Sequence, residues 1–128
     1  MITEDFCSFE LSKLLKEKGF DGECIGCYWD SKKTFDINYE PLSYSDGDLR
    51  DEVILAPTHQ MAMKWLREEH DIIIVIEPHS YNHMEEKTSS YDFSIWYGDN
   101  YEHPLTTNYS TYEEAVEAAI LYVLSEVL

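Results

Sequence analysis

The sequence predicts an α+β domain: a mostly antiparallel sheet of four to five strands with three helices packed on it, in the order α-β-β-α-β-β-(β)-α. Three observations carry this. Apolar residues recur at helical spacing in three stretches, each preceded by a residue suited to cap a helix. In other stretches apolar and polar residues alternate, as they do in strands with one face buried. A hydrophobic fraction of 44% over 128 residues suits one core, so residues 1–128 are expected to form a single domain.

The first helix is expected from Phe9 to Lys18. Ser8 is its N-cap, and Leu11, Leu14 and Leu15 form its stripe. Gly19 stands where a left-handed residue ends a helix, and Phe20 can fold back on Leu15. Two strands follow. "CIGCYW" sets Ile25, Cys27 and Trp29 on one face. "TFDINY" sets Phe35, Ile37 and Tyr39 on one face and Thr34, Asp36 and Asn38 on the other. The link Asp30-Ser31-Lys32-Lys33 is polar and hairpin-sized. Residues from Glu40 to Asp51 read as a loop rich in Pro, Gly, Ser and Asp.

The second helix opens at Pro57 or Thr58 and runs to about Glu69, with Met61, Ala62, Trp65 and Leu66 on one face. "DIIIVIEP" is short, apolar and β-branched, which predicts a strand buried on both faces, with Trp65 and Met61 packed against Ile72–Ile76. His79–Ser90 reads as a long polar hairpin loop. "YDFSIWY" alternates, with Tyr91, Phe93, Ile95 and Tyr97 on one side, and Gly98-Asp99-Asn100 turns the chain. "PLTTN" reads as a short edge strand. The last helix begins with a capping box, Thr111-Tyr112-Glu113-Glu114. Its stripe is Tyr112, Val116, Ala119, Ile120, Val123 and Val127. A parallel strand pair would need a crossover, which the second helix could supply between Tyr39 and Ile72.

Charge narrows the function classes. The chain holds 9 basic and 26 acidic side chains, a net charge of −17. Residues 1–64 carry 7 basic and 13 acidic side chains, and residues 65–128 carry 2 and 13. Nucleic acid and anionic membranes are bound through Lys and Arg, so neither is an expected partner. No apolar run approaches the roughly 20 residues that span a bilayer. The acidic start "MITEDFCSFE" lacks a signal-peptide layout. Three cysteines, an odd number, point to reduced thiols and a cytoplasmic setting.

Candidate sites are few. Cys24 and Cys27 form a C-x-x-C, but positions three apart in a regular strand face opposite ways. A structural zinc takes four ligands, and only Cys7 remains among the cysteines. A redox C-x-x-C opens a helix, which "CYWDSKK" does not resemble. Cys27 is therefore expected in the core beside Ile25 and Trp29, with Cys24 off that face. The histidines are His59, His70, His79, His83 and His103; His79 and His83 share a predicted loop with Glu85 and Glu86, where nothing fixes a metal geometry. Glu68, Glu69 and Asp71 end a helix and read as solvated charge. No nucleophile elbow or phosphate-binding glycine loop is present. The sequence thus nominates no catalytic, cofactor-binding or metal-binding residue and no cofactor. Ten tyrosines and three tryptophans suit strand packing or an interface.

"LKEKGF", "APT" with "KWLREEHDI", and "TYEEAVEAAILYVL" together resemble a family of small uncharacterised proteins of gut Bacteroidetes genomes and their phages and mobile elements. The resemblance runs nearly the length of the chain and is most specific at Trp65-Leu66-Arg67-Glu68. It implies a cytoplasmic setting and a phage or mobile-element origin, and it brings no catalytic residue with it. The paired cysteines are not part of its pattern.

The expected function is a small acidic, non-enzymatic protein-interaction domain, binding a protein partner or itself. One alternative is an acidic mimic of DNA that blocks a nucleic-acid-binding protein, with carboxylates spaced along one face. A second is an enzyme with an unrecognised site, for which His79, His83 and the neighbouring glutamates are the candidates.

Overall fold

Hydroxyl side chains start all three helices. In the computed structural model, which describes residues 2–29, 33–47, 49, 52–83, 86–104 and 108–128, Ser8 accepts from Leu11 N–H and opens α1, Phe9–Glu17. Thr58 accepts from Met61 N–H and opens α2, His59–His70. Thr111 accepts from Glu114 N–H and opens α3, Tyr112–Tyr122, which continues as a π-helical turn over Val123–Val127. Each cap satisfies a backbone donor that the first helical turn leaves free. At the far end of α1, Gly19 takes φ +92°, Gly19 N–H donates to Lys16 O and Phe20 N–H donates to Leu15 O. This Schellman ending turns Phe20 into the core, where its ring meets Trp65 edge-on at 5.5 Å.

The strands are β1 (Cys24–Trp29), β2 (Thr34–Leu42), β3 (Val53–Ala56), β4 (Ile72–His83), β5 (Glu86–Tyr97) and β6 (Asn100–Glu102). They form two antiparallel sheets of three strands, ordered β2-β1-β3 and β4-β5-β6. One hydrophobic cluster joins them to the helices, with Leu11 and Leu15 of α1, Val53 and Leu55 of β3, Leu66 of α2, and Ile120 of α3 among its members. The class is α+β with three helices, as expected.

The finer arrangement departs from the expectation. Six strands in two sheets replace one sheet of four to five strands. Two strands go beyond the expectation: β6, which starts at Asn100 in the expected turn, and β3, a four-residue apolar run wholly buried beside β1. β3 is too short to show a period of its own. Every strand pair is antiparallel, so α2 makes no parallel crossover and instead links the two sheets. The expected loop His79–Ser90 is strand on both arms, because β4 and β5 pair in unbroken register from Ile72↔Tyr97 to His83↔Glu86. Its tip, residues 84–85, lies outside the described residues, as does most of the expected strand "PLTTN".

Burial also differs in particular places. β4 is not buried on both faces: Ile72 is, while Ile73 and Val75 are exposed. Ile73, Trp96 and Tyr101 stand side by side in register on the open face of this sheet. Met61 is exposed rather than packed with Trp65. Trp65 is buried as expected, its ring set against Phe20 and His70. Tyr112 is exposed, while Val116, Ala119, Ile120 and Val123 are fully buried. Among the described residues no helix is long and apolar enough to cross a membrane.

Candidate functional site

A short zipper near the N-terminus brings a thiol, an imidazole and a carboxylate together. Cys7 N–H donates to Pro57 O at 2.9 Å, His59 N–H donates to Asp5 O at 2.9 Å, and Phe6 bridges Thr58. The segment before α1 therefore runs antiparallel to the segment entering α2. Cys7, just before the α1 cap, is drawn beside His59, the first residue of α2. From α3 comes Glu117: His59 Nε2 and Glu117 Oε2 are 2.6 Å apart, and Ser8 N–H donates to Glu117 Oε1 at 3.0 Å. The ligand atoms of Cys7, His59 and Glu117 all lie within 4.8 Å of one another.

The electrostatics set the protonation. Burial favours the neutral acid at Glu117, but the hydrogen bonds from His59 and Ser8 outweigh it and hold its carboxyl below the usual range. An ionised carboxylate only accepts, so the proton in the His59–Glu117 bond sits on Nε2. Burial, aided by the charge of Glu117, pushes the Cys7 thiol far up, so it is protonated. The Tyr28 hydroxyl donates to Cys7 O at 2.9 Å, and Ser12 donates to the same carbonyl at 3.3 Å. Burial and the charge of Glu117 also raise the Tyr28 phenol.

This arrangement is convergent, not linear. In a nucleophilic relay the imidazole joins thiol and acid through opposite ring nitrogens, which sets thiol and carboxylate roughly 7 Å apart. Here they lie within 4.8 Å. The Cys7 side chain is also closed off, at 0% exposure. A neutral, inaccessible thiol is a poor nucleophile. Three unlike donors this close together instead resemble a ligand set for a metal. A cavity of about 260 Å³, lined among others by Thr3, Asp5, His59, Gln60 and Tyr112, reaches the cluster on its His59 side.

The C-x-x-C does not take part. Cys24 and Cys27 are both buried free thiols, and neither belongs to the convergent group. The expectation that only Cys27 enters the core is corrected. The register of β1 shifts between Cys24 and Gly26, so strict alternation fails at this end of the strand and Cys24 is buried as well. Cys24 lies near enough to Cys7 for the charge of one to act on the other, and burial pushes the Cys24 thiol up to about 12. Ile25 and Trp29, expected in the core, are exposed.

The histidines part ways. His70 lies against Trp65, and His103 Nε2 is 2.7 Å from Asp92 Oδ2. His79, His83 and Glu86 fall on the paired arms of the β4–β5 hairpin, and Glu85 lies outside the described residues. Glu68, Glu69 and Asp71 are exposed, as expected. Cys7, His59 and Glu117 were not singled out in sequence. They stand 52 and 58 residues apart, a spacing with no motif behind it. The one local signal is that Cys7 and His59 each adjoin a helix cap.

The second place of interest is open. β2 is an edge strand with every residue from Thr34 to Pro41 exposed. Ile37 is 54% exposed and Tyr39 fully so. Only the β1 side of β2 is paired with a strand among the described residues. At its end, Ile25, Pro41, Ala56, Pro57 and Met61 line a groove of about 270 Å³.

No family model, curated protein or solved structure matches this chain.

Proposed function

We propose that this chain is a small acidic, non-enzymatic interaction domain that takes an extended basic segment of another protein as an added strand along β2. The observation that carries the reading is the β2 edge. A strand that has a strand neighbour on one side only among the described residues, with Phe35, Ile37 and Tyr39 in water, is a template for strand addition. Folded chains usually blunt such an edge. Here the blunting is slight: Asp36 Oδ1 accepts from Ile37 N–H at 2.9 Å, a local bond that a docking strand displaces. Pro41 lacks an N–H and marks where pairing ends. The groove beside it suits one apolar side chain of the docked segment.

Charge selects the partner. Asp36 and Glu40 stand in water on β2, within a chain of net charge −17. A Lys- or Arg-rich segment is attracted, and a second copy of this chain is repelled.

The test is a ten-residue peptide alternating lysine with valine, followed by fluorescence anisotropy. Saturable binding is expected. It should weaken with salt, fall in the charge-reversed variant Asp36→Lys/Glu40→Lys, and vanish for a glutamate–valine peptide. Binding that ignores charge, survives that double variant, or never occurs overturns the reading. So does a concentration-dependent dimer of the chain that hides β2.

A further inference from the structure

We infer that Cys7, His59 and Glu117 form a binding site for one divalent transition-metal ion, of which zinc fits best. The site is separate from the β2 edge and does not depend on what docks there.

Donor chemistry comes first. Thiolate, imidazole and carboxylate are the three side-chain ligands that zinc prefers. Ligand atoms on one tetrahedral zinc sit roughly 3.3–3.6 Å apart, as bond lengths near 2.0–2.3 Å require. The three atoms here already lie within 4.8 Å of one another, so ligation asks for shifts on the order of 1 Å.

Charge balance comes second. A zinc ion with one thiolate, one carboxylate and a neutral imidazole sums to zero, which suits a buried place better than a lone carboxylate does. On binding, the thiol gives its proton to solvent and the Cys7 sulfur bonds the metal. His59 changes tautomer, releasing the Nε2 proton to solvent and taking one up at Nδ1 so that the ring stays neutral, and Nε2 and Glu117 Oε2 turn to the metal.

The supporting groups come third. Ser8 N–H holds Glu117 Oε1 at 3.0 Å, leaving Oε2 as the ligand. The backbone bonds Cys7–Pro57 and His59–Asp5 fix the two other ligands to one short zipper. Such outer bonds orient ligands before the metal arrives. The cavity at His59 offers the way in and room for a water in the fourth position.

Cobalt(II) is the probe, because a cobalt–thiolate bond absorbs in the near ultraviolet. Titrating the reduced, metal-free protein should give that band, saturating at one equivalent, and zinc should erase it. Cys7→Ser should abolish the band while Cys27→Ser keeps it. Glu117→Gln keeps the shape of the site and should weaken cobalt affinity by about tenfold or more. The inference is overturned if no thiolate band forms, if the band survives Cys7→Ser, or if Glu117→Gln binds cobalt as tightly as the unaltered chain. Circular dichroism on each variant separates loss of the site from loss of the fold, and Glu117→Gln decides if Cys7→Ser does not fold.

Discussion

Glu117 of α3 and His59 of α2 meet at 2.6 Å, and the same carboxylate takes the Ser8 N–H that opens α1 at 3.0 Å. One side chain therefore ties the N-terminal ends of two helices to the middle of a third. Removing it leaves a buried imidazole N–H and a helix-end amide without their acceptor, a loss of about 2–3 kcal/mol. Glu117→Ala should show that loss in urea unfolding at neutral pH. Because the folded carboxyl titrates below its ordinary value of 4.5, its contribution is whole above about pH 4.5 and fades as the pH falls through the lower folded value. The stability gap between Glu117→Gln and the unaltered chain should close in that acid range and nowhere higher. A gap that stays constant down to strong acid argues that Glu117 is not ionised in the fold.

Cys24 and Cys27 should now behave alike. Both are buried, and Ser at either puts a hydroxyl where an apolar atom packs, at about 1–3 kcal/mol each. Thermal unfolding of the two variants measures this directly. A Cys24→Ser protein as stable as the unaltered chain would place that side chain outside the core.

Asp71 closes α2 in the left-handed region, at φ 56° and ψ 39°. An acidic side chain there also faces the negative end of the helix dipole. Asp71→Gly removes both penalties and should stabilise by roughly 0.5–1 kcal/mol, whereas Asp71→Val, β-branched, should destabilise by about 1–2 kcal/mol. Denaturant midpoints in the order Gly above Asp above Val are the expected result; Val at or above Asp contradicts the backbone geometry.

What was legible in the sequence was local. Ser8, Thr58 and Thr111 announce helix starts because a cap acts within three residues. Gly19 announces a stop because few other residues accept its φ of +92°. Trp65 announces burial by its place on an apolar stripe. What escaped was set by distance or by position in the sheet. Phe35, Ile37 and Tyr39 alternate as a buried face does, yet β2 lies at an edge and leaves them partly or wholly in water. Polar residues 79–83 carry no strand signal and are held by pairing with 86–90. Glu117 looks like any of 26 acidic residues until α3 packs beside Ser8 and His59.

Residue-resolved amide hydrogen exchange shows directly whether the outer side of β2 takes a basic strand. Successive residues of a strand send their backbone groups to opposite neighbours, so half of the β2 amides should exchange quickly in the free protein. Adding the lysine–valine peptide should slow those alternate amides between Phe35 and Glu40 and leave the β1-facing ones unchanged. If all β2 amides are already slow without peptide, or if the peptide protects none of them, the edge is not the binding surface.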